Sequence, residues 1–461
     1  MPAWVARGRM ETGGSRTVPA MGTMGRLRRW IDRRKPLLPV LFAEFVILLG
    51  FGSLLPVLPL YVVQHGVDVP TLGFITAAWP LAKLISEPTF GYLADRTGRH
   101  KPIMLAGLAL LAVFTVLPLV FTSAPAFFLL RFLSGAAAGM YDPAARGIIV
   151  DVTAEGERGE AFGLYSASQM GGFLIGPVLG SLGAALGGGY AFPFVFTGVL
   201  TLGAGLYLWR FLADHPVAFI PQRSRPAAST RVDVIATSRE VPLTTPAVRP
   251  ATTEAEPVQA PLAALLNRPF AAAVVMYFGV SLAFGVYDVI WTLYMTRLGA
   301  SIELVGLTFT LFGLGVMLLS PLAGRVVDRV GAMRFAVGGI LGIACAGVLY
   351  ALATEPVFPT LVVPFESIAE AFAVPALFAL VALGSPPGRT STAQGVFGAA
   401  GTIALVIASA AGGILWSHDP TWPFWMFVVG AVACLFLGLA LRGFRRGAAA
   451  VESERPRTAE A

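Results

Sequence analysis

Charge is scarce in this chain. Only 13% of its 461 residues are Asp, Glu, Lys or Arg, about half the share of a soluble domain. Cysteine is scarcer still. Cys345 and Cys434 each sit in an apolar run and form no CxxC pair, so a disulfide scaffold and a thiolate metal site are excluded, and both read as small buried apolar residues. Four scattered histidines (His65, His100, His215, His418) offer no metal-ligand spacing. A Walker A stretch, an esterase elbow and a potassium-filter loop are missing, so no catalytic residue, metal or cofactor is expected, and ATP does not drive this chain. The 52 glycines and 34 prolines follow no Gly-X-Y period, which excludes collagen. What is abundant is apolar surface: AVILMFWYC residues make up 56%, and mean hydropathy is +0.74. A soluble enzyme or nucleic-acid module is excluded, and a polytopic helical membrane protein remains.

Apolar runs of span length fall at about 37–63, 71–93, 103–121, 125–148, 161–186 and 190–211, then at 270–296, 303–324, 335–353, 356–383, 391–416 and 421–441. That is six, a long gap, and six. The expected organisation is a basic tail over 1–35, a six-helix bundle over 36–211, a linker over 212–267, a second bundle over 268–442 and a tail over 443–461. The linker is rich in Pro, Ala, Thr and Arg without sustained periodicity. No cleavage motif follows the basic leader, so the first span reads as uncleaved, with Met21 and Met24 as alternative starts.

The basic residues choose an orientation. With the N-terminus inside, 30 of the 33 Lys and Arg fall on the inner side, Arg297 alone falls outside, and Lys83 and Arg131 lie within spans. This asymmetry predicts both termini in the cytoplasm and an even number of spans. It also explains the net charge of +7 without nucleic acid, and it suits a basic tail lying on anionic lipid.

One loop occurs twice. After the second span the chain reads Gly91-Tyr-Leu-Ala-Asp95-Arg96-Thr-Gly98-Arg99-His-Lys101, and after the eighth Gly324-Arg-Val-Val-Asp328-Arg329-Val-Gly331-Ala-Met-Arg334. Gly, Asp, Arg, Gly and a closing cation keep their offsets, which marks an internal duplication of a six-span unit. The first copy resembles the signature loop G-x-L-A-D-R-x-G-R-[RK]-x of the major facilitator superfamily. Arg131 followed by Gly135 and Gly139 resembles that family's fourth-span motif. Gly172-Phe-Leu-Ile-Gly176-Pro177-Val-Leu-Gly180 resembles the fifth-span motif of its twelve-span drug/proton antiporters, with Ser181 where a second glycine is usual. The resemblance implies an all-α membrane protein of two pseudo-symmetric six-helix bundles, monomeric, in the plasma membrane.

It also implies roles. Gly91 permits close packing at a helix end and Gly98 a positive φ. Asp95, with Arg96, Arg99 and Lys101 around it, would dock on the N-terminus of span eleven at Thr390-Ser391-Thr392 and latch the cytoplasmic side. Asp328, with Gly324, Arg329, Gly331 and Arg334, would face the start of span five, where Glu157, Arg158 and Glu160 make a weaker latch. Gly172, Gly176 and Gly180 form one small-residue face and Pro177 bends it. That face reads as a packing seam or as a hinge sealing the halves, and the two readings are compatible.

Charge inside a bilayer costs roughly 2.5–3.5 kcal/mol per residue on insertion scales, so each instance needs a cavity or a partner. Glu44, Lys83, Glu87, Arg131, Asp288, Glu366 and Glu370 lie within spans. By resemblance, spans one, four, seven and ten line the central cavity, and each carries one of these charges. Lys83 and Glu87 are one turn apart and can pair. Glu366 and Glu370 are also one turn apart, and two like charges in low dielectric resist ionising together, which suits loading and releasing a proton. Asp142 reads as the surface partner of Arg146. Trp79, Tyr165, Tyr277, Tyr287, Trp291 and Phe372 read as pocket or packing residues, and Trp416, Trp422 and Trp425 as an interfacial belt.

These readings converge on a secondary transporter that exports small amphipathic compounds in exchange for protons by alternating access. An importer or uniporter of a sugar, organic acid or peptide on the same fold is the alternative, with Arg131 binding an anionic group. A transport-dead sensor or scaffold is the third.

Overall fold

The computed structural model describes residues 37–153, 158–212, 261–265, 267–386 and 390–453. The tail 1–35, most of the linker and Glu157 lie outside them, as do the side chains of Asp328, Arg158, Glu160, Thr390 and Ser391.

Twelve apolar segments cross. They are α1 (Leu38–Leu54, continued by a short helix Leu58–Gln64), α2 (Val69–Thr97), α3 (His100–Val116), α4 (Ala124–Val152), α5 (Arg158–Gly183) and α6 (Phe192–Phe211). The second set is α7 (Arg268–Arg297), α8 (Ile302–Val330), α9 (Ala332–Ala351), α10 (Val357–Gly384), α11 (Thr390–Trp416) and α12 (Trp422–Ser453). Among the described residues, eleven helices are long and apolar enough to span a membrane alone. The first span is broken by 43° between its two pieces. Pro56 and Pro59 stand at that break, where each removes a backbone donor. The chain expected to leave the last span at 441 continues as helix to Ser453, through Ala448, Ala449 and Ala450, strong helix formers.

The packing pattern repeats. Within the first half α1 packs on α5 and α6, α4 on α2 and α3, and α3 on α6. Within the second half α7 packs on α11 and α12, α10 on α8 and α9, and α9 on α12. Adding six to each number converts one set into the other. Across the halves α2 meets α11 and α5 meets α8, again a symmetric pair. The protein is an all-α, multi-pass membrane protein of two pseudo-symmetric six-helix bundles. Large apolar side chains such as Phe42, Leu129, Val199, Leu361 and Leu437 face outward, as a lipid-facing surface requires. Cys345 is on this exterior as well. Its expected burial is therefore corrected: an apolar neighbourhood in a membrane helix is as often lipid as core.

The halves are closest near the face opposite the basic loops. A Cβ added to Gly73 of α2 would stand 2.6 Å from the Ser409 carbonyl of α11, and one on Gly306 of α8 would stand 2.8 Å from the Pro177 carbonyl of α5. Thr310 of α8 donates to the Leu174 carbonyl of α5 at 2.9 Å. Toward the basic face, Gly395 and Gly398 of α11 have no neighbour within 4 Å of an added Cβ. The described contacts between the halves lie toward the face opposite the basic loops.

The fifth-span glycines pack inside their own half. A Cβ on Gly176 would lie 2.5 Å from the Leu49 carbonyl and 2.9 Å from Gly52 Cα, and Gly172 and Gly180 meet Phe45 and Ser53 of α1 in the same way. The opposite side of that turn, Pro177 and Ser181, is what touches α8. Gly176→Val should therefore separate α1 from α5 and cost about 1–3 kcal/mol of overpacking, read as a lower melting temperature of the purified protein. The same change at Gly203, with open space around it, should leave the melt unchanged.

Candidate functional site

The membrane-embedded charges gather in two places. In the first half, Glu44 is fully buried on α1. Tyr141 of α4 donates to its Oε2 at 2.8 Å, and Gln169 of α5 donates to its Oε1 at 2.6 Å. Beside it a chain of ion pairs links α2 and α4: Lys83 Nζ lies 2.5 Å from Asp142 and 3.4 Å from Glu87, and Arg146 reaches Glu87 at 3.1 Å. Lys83 also sits 5.1 Å from the Trp79 ring centroid. Gly139 of α4 admits Ser86 and the Glu87 backbone, and Gly135 admits the Trp79 backbone, so the small residues let the two helices come this close.

This corrects one pairing. Asp142 was expected to hold Arg146 one turn away; it holds Lys83 instead, and Arg146 holds Glu87. A neighbouring helix at backbone contact offers a shorter approach than a flexible side chain on the same helix. Lys83→Ala would strand Asp142, while Glu87 keeps Arg146. Discounting partial water access, the cost should be about 2 kcal/mol. The double variant Lys83→Ala/Asp142→Ala should recover part of it in a thermodynamic cycle.

In the second half Glu366 of α10 is buried. Tyr287 of α7 donates to its Oε1 at 2.5 Å and Tyr350 of α9 to its Oε2 at 2.7 Å. Tyr294 donates in turn to the Tyr350 carbonyl. Glu370 is buried one turn nearer the basic face. Between the halves lies a cavity of about 240 Å³ whose wall includes Phe51, Trp79, Phe173, Phe284, Tyr287, Asp288, Trp291, Phe309, Phe312 and Glu366. Among the described residues, no Lys or Arg lines it. Trp291 is oriented by its indole N–H, which donates to Thr308 at 2.9 Å. A second chamber of about 120 Å³ lies inside the first half and is lined by Glu44, Lys83, Arg131, Tyr141, Asp142 and Gln169, among others. Phe51 and Trp79, with ring centroids 5.1 Å apart, wall both spaces. Such a cavity can hold an apolar ring system by stacking and a positive group by its two carboxylates.

Of the charges singled out in the sequence, Asp288 and Glu366 reach the inter-half cavity, and Glu44, Lys83 and Arg131 line the inner chamber. Glu87 and Glu370 line neither. Trp79, Tyr287 and Trp291 line the cavity. Tyr277 is stacked on Phe397 at 3.9 Å and Phe372 on Phe335 at 5.2 Å, as packing residues. Asp95 is 82% exposed, 3.5 Å from His100. The side chains of Thr390 and Ser391, its expected partners on α11, lie outside those described. Gly98 and Gly331 close α2 and α8 with φ of 63° and 111°.

Asp142, Tyr141, Gln169 and Tyr350 carry more of the site than their sequence suggests. Asp142 had a signal: it lies eleven residues after Arg131, about three helical turns, and so shares its face. Tyr350 had none, since a lone tyrosine in an apolar run has many roles.

A model of the Major Facilitator Superfamily matches residues 40–287 and 270–460. Multidrug resistance protein 2 of Bacillus subtilis (strain 168) is 33% identical over 184 residues, 39% of this chain and 44% of that protein. Quinolone resistance protein NorA of Staphylococcus aureus (strain MRSA252) is 35% identical over 166 residues, 36% of this chain and 42% of that protein. The chain thus matches less than half the length of each of these relatives. Among solved structures, the nucleoside transporter NupG has a TM-score of 0.69 at 14% identity, covering 88% of this chain and 98% of that one. A bacterial homolog of the human lysosomal transporter Spinster, in an inward-facing and unoccupied conformation, has a TM-score of 0.67 at 16% identity, covering 90% of this chain and 98% of that one. At such identities these two likenesses concern the fold alone.

Proposed function

Since the chain belongs to the Major Facilitator Superfamily, a family of small-molecule transporters, we propose that it exports lipophilic cations across the plasma membrane in exchange for protons. Both termini are cytoplasmic in this reading, supported by the distribution of Lys and Arg, and the protein works as a monomer. The face that carries the basic loops is then the cytoplasmic one. The observation that carries the proposal is the inter-half cavity: aromatic on most sides, with Asp288 and Glu366 and, among the described residues, no cation in its wall. The names of the two bacterial relatives, a multidrug and a quinolone resistance protein, point the same way.

In the open-inward state an ionised Glu366, held by two phenol hydroxyls, attracts a cation whose rings stack on Trp79, Trp291 and the phenylalanines. The occupied halves tip about their interface, the cytoplasmic side closes with Asp95 on α11, and the outer contacts at Gly73 and Gly306 part. Protons entering from outside neutralise Glu366 and its neighbour Glu370, which releases the cation and allows the return. Proton and substrate compete for one set of carboxylates, so cation binding strengthens as pH rises.

Everted vesicles containing the protein, loaded with a fluorescent lipophilic cation such as ethidium, test the reading. Imposing an acid-inside gradient should drive dye into the vesicles, and collapsing it with a proton ionophore should release the dye. Dye distribution indifferent to the gradient across a broad panel would remove proton coupling from the account.

A further inference from the structure

Each oxygen of Glu366 carries one phenol hydrogen, and the two phenols stand in different surroundings. Tyr350, which donates to Oε2 at 2.7 Å, is wholly buried and takes no part in the wall of the inter-half cavity. Trp291 meets its ring near edge-on at 4.9 Å, Phe424 tilts against it at 6.0 Å, and Tyr294 donates to its backbone carbonyl. Tyr287, which donates to Oε1 at 2.5 Å, is half-buried and lines the cavity. A phenol hydrogen rotates about its C–O bond, so that of Tyr287 can turn from Oε1 to cavity water at small cost. The carboxylate thus has one oxygen fastened inside the protein and the other turned toward the ligand space.

A cation that reaches Glu366 from the cavity meets Oε1, where the positive end of the Tyr287 hydroxyl already stands. We infer that the two tyrosines have opposite tasks: Tyr350 is a positioning residue that holds Oε2 in every state, and Tyr287 is a resident competitor that leaves Oε1 when the cation arrives and returns when it departs. The inference rests on the export reading of the cavity and adds to it how Glu366 stays satisfied between passengers. An ionised carboxylate without a partner is costly inside a membrane. Tyr287 covers it when the cavity is empty and weakens cation binding by the strength of its own bond.

The two tasks act on opposite limbs of a binding curve against pH. Either phenol bond favours the ionised carboxylate over the protonated one, so losing either moves the half-point of binding to higher pH. Tyr350 bonds the ionised form with and without the cation, so its loss weakens binding on the acid side and spares the alkaline plateau. Tyr287 bonds the ionised form only without the cation, so its loss tightens the alkaline plateau and spares the acid side. Glu366 shares the cavity wall with Asp288 of α7 and its own helix with Glu370; among the described residues, α8 and α11 bring no charged side chain to that wall. Asp288 and Glu370 are kept in both variants.

Tetraphenylphosphonium has no titratable group, so any pH dependence of its binding belongs to the protein. Its Kd for the purified full-length protein in detergent is measured from acid to alkaline pH in the wild type, Tyr350→Phe and Tyr287→Phe. Tyr350→Phe should bind about tenfold more weakly on the acid side and match the wild type on the plateau. Tyr287→Phe should bind about tenfold more tightly on the plateau and match the wild type on the acid side, each half-point moving up by about one pH unit. A merely structural loss would lower both limbs together. Should Tyr350→Phe fail to fold, the Tyr287→Phe curve decides alone. A Tyr287→Phe plateau equal to or weaker than the wild type's, or a Tyr350→Phe curve that overlies the wild type's, would overturn the inference and leave the export reading standing. Wild-type binding that is absent, or indifferent to pH, would remove the export reading and this inference with it.

Discussion

Glu366→Gln should abolish gradient-driven movement of a lipophilic cation, down to the level of vesicles lacking the protein. The glutamine keeps the shape, its carbonyl oxygen can accept from one phenol and its amide N–H can donate to the other hydroxyl oxygen, so the fold should survive and the melt should change little. What disappears is a group that exchanges its proton for a positively charged ligand. Cation binding should weaken and lose its pH dependence, because an amide does not titrate. Glu370→Gln, one turn nearer the basic face and outside the cavity wall, should slow transport while leaving binding measurable. If Glu366→Gln transports as the wild type does, Glu366 is not the exchange site. Scintillation proximity binding beside vesicle transport separates the two effects.

Gly73→Val should trap the protein with its other face open. Gly73 and Gly413 cross at backbone contact: a Cβ on Gly73 meets the Ser409 carbonyl at 2.6 Å and Gly413 Cα at 3.1 Å. Valine cannot be accommodated without parting α2 from α11 at the outer face. The helices themselves need not change, so the protein should remain folded and inactive. Spin labels on the outer ends of α2 and α11 should move apart in pulsed electron resonance, and labels on the basic ends should draw together as Asp95 finds α11. Unchanged distances at both faces, with transport retained, would show that this contact does not gate the cavity.

The helices were legible because a bilayer enforces a simple rule. Each span must be long and apolar and satisfy its own backbone, so the runs near 71–93 and 335–353 became α2 and α9 within a few residues. The break in the first span was written in Pro56 and Pro59, but hydropathy averages over such detail. The presence of intramembrane charges could be read directly, and so could the pairing of Lys83 with Glu87 along one helix, 3.4 Å apart; partners on other helices could not, because that pairing depends on which helices touch and at what height. Asp142 illustrates this: local spacing favours Arg146, whereas the close α2–α4 contact delivers Lys83. The aromatic residues divided for the same reason. Trp79, Tyr287 and Trp291 face the cavity, while Tyr277 and Phe372 are consumed in stacks. Asp95 shows a different limit, since the side chains of its expected partners Thr390 and Ser391 lie outside those described.

Proton release on ligand binding probes the central claim most directly. Purified protein in weakly buffered detergent is mixed with a lipophilic cation, and a pH indicator records protons displaced per cation bound. Competition at Glu366 and its neighbours predicts protons released on cation binding at acid pH, fewer per cation as pH rises, and none in Glu366→Gln. Saturable binding of the cation to the wild type without any proton release, across the range from acid to alkaline, would contradict the account.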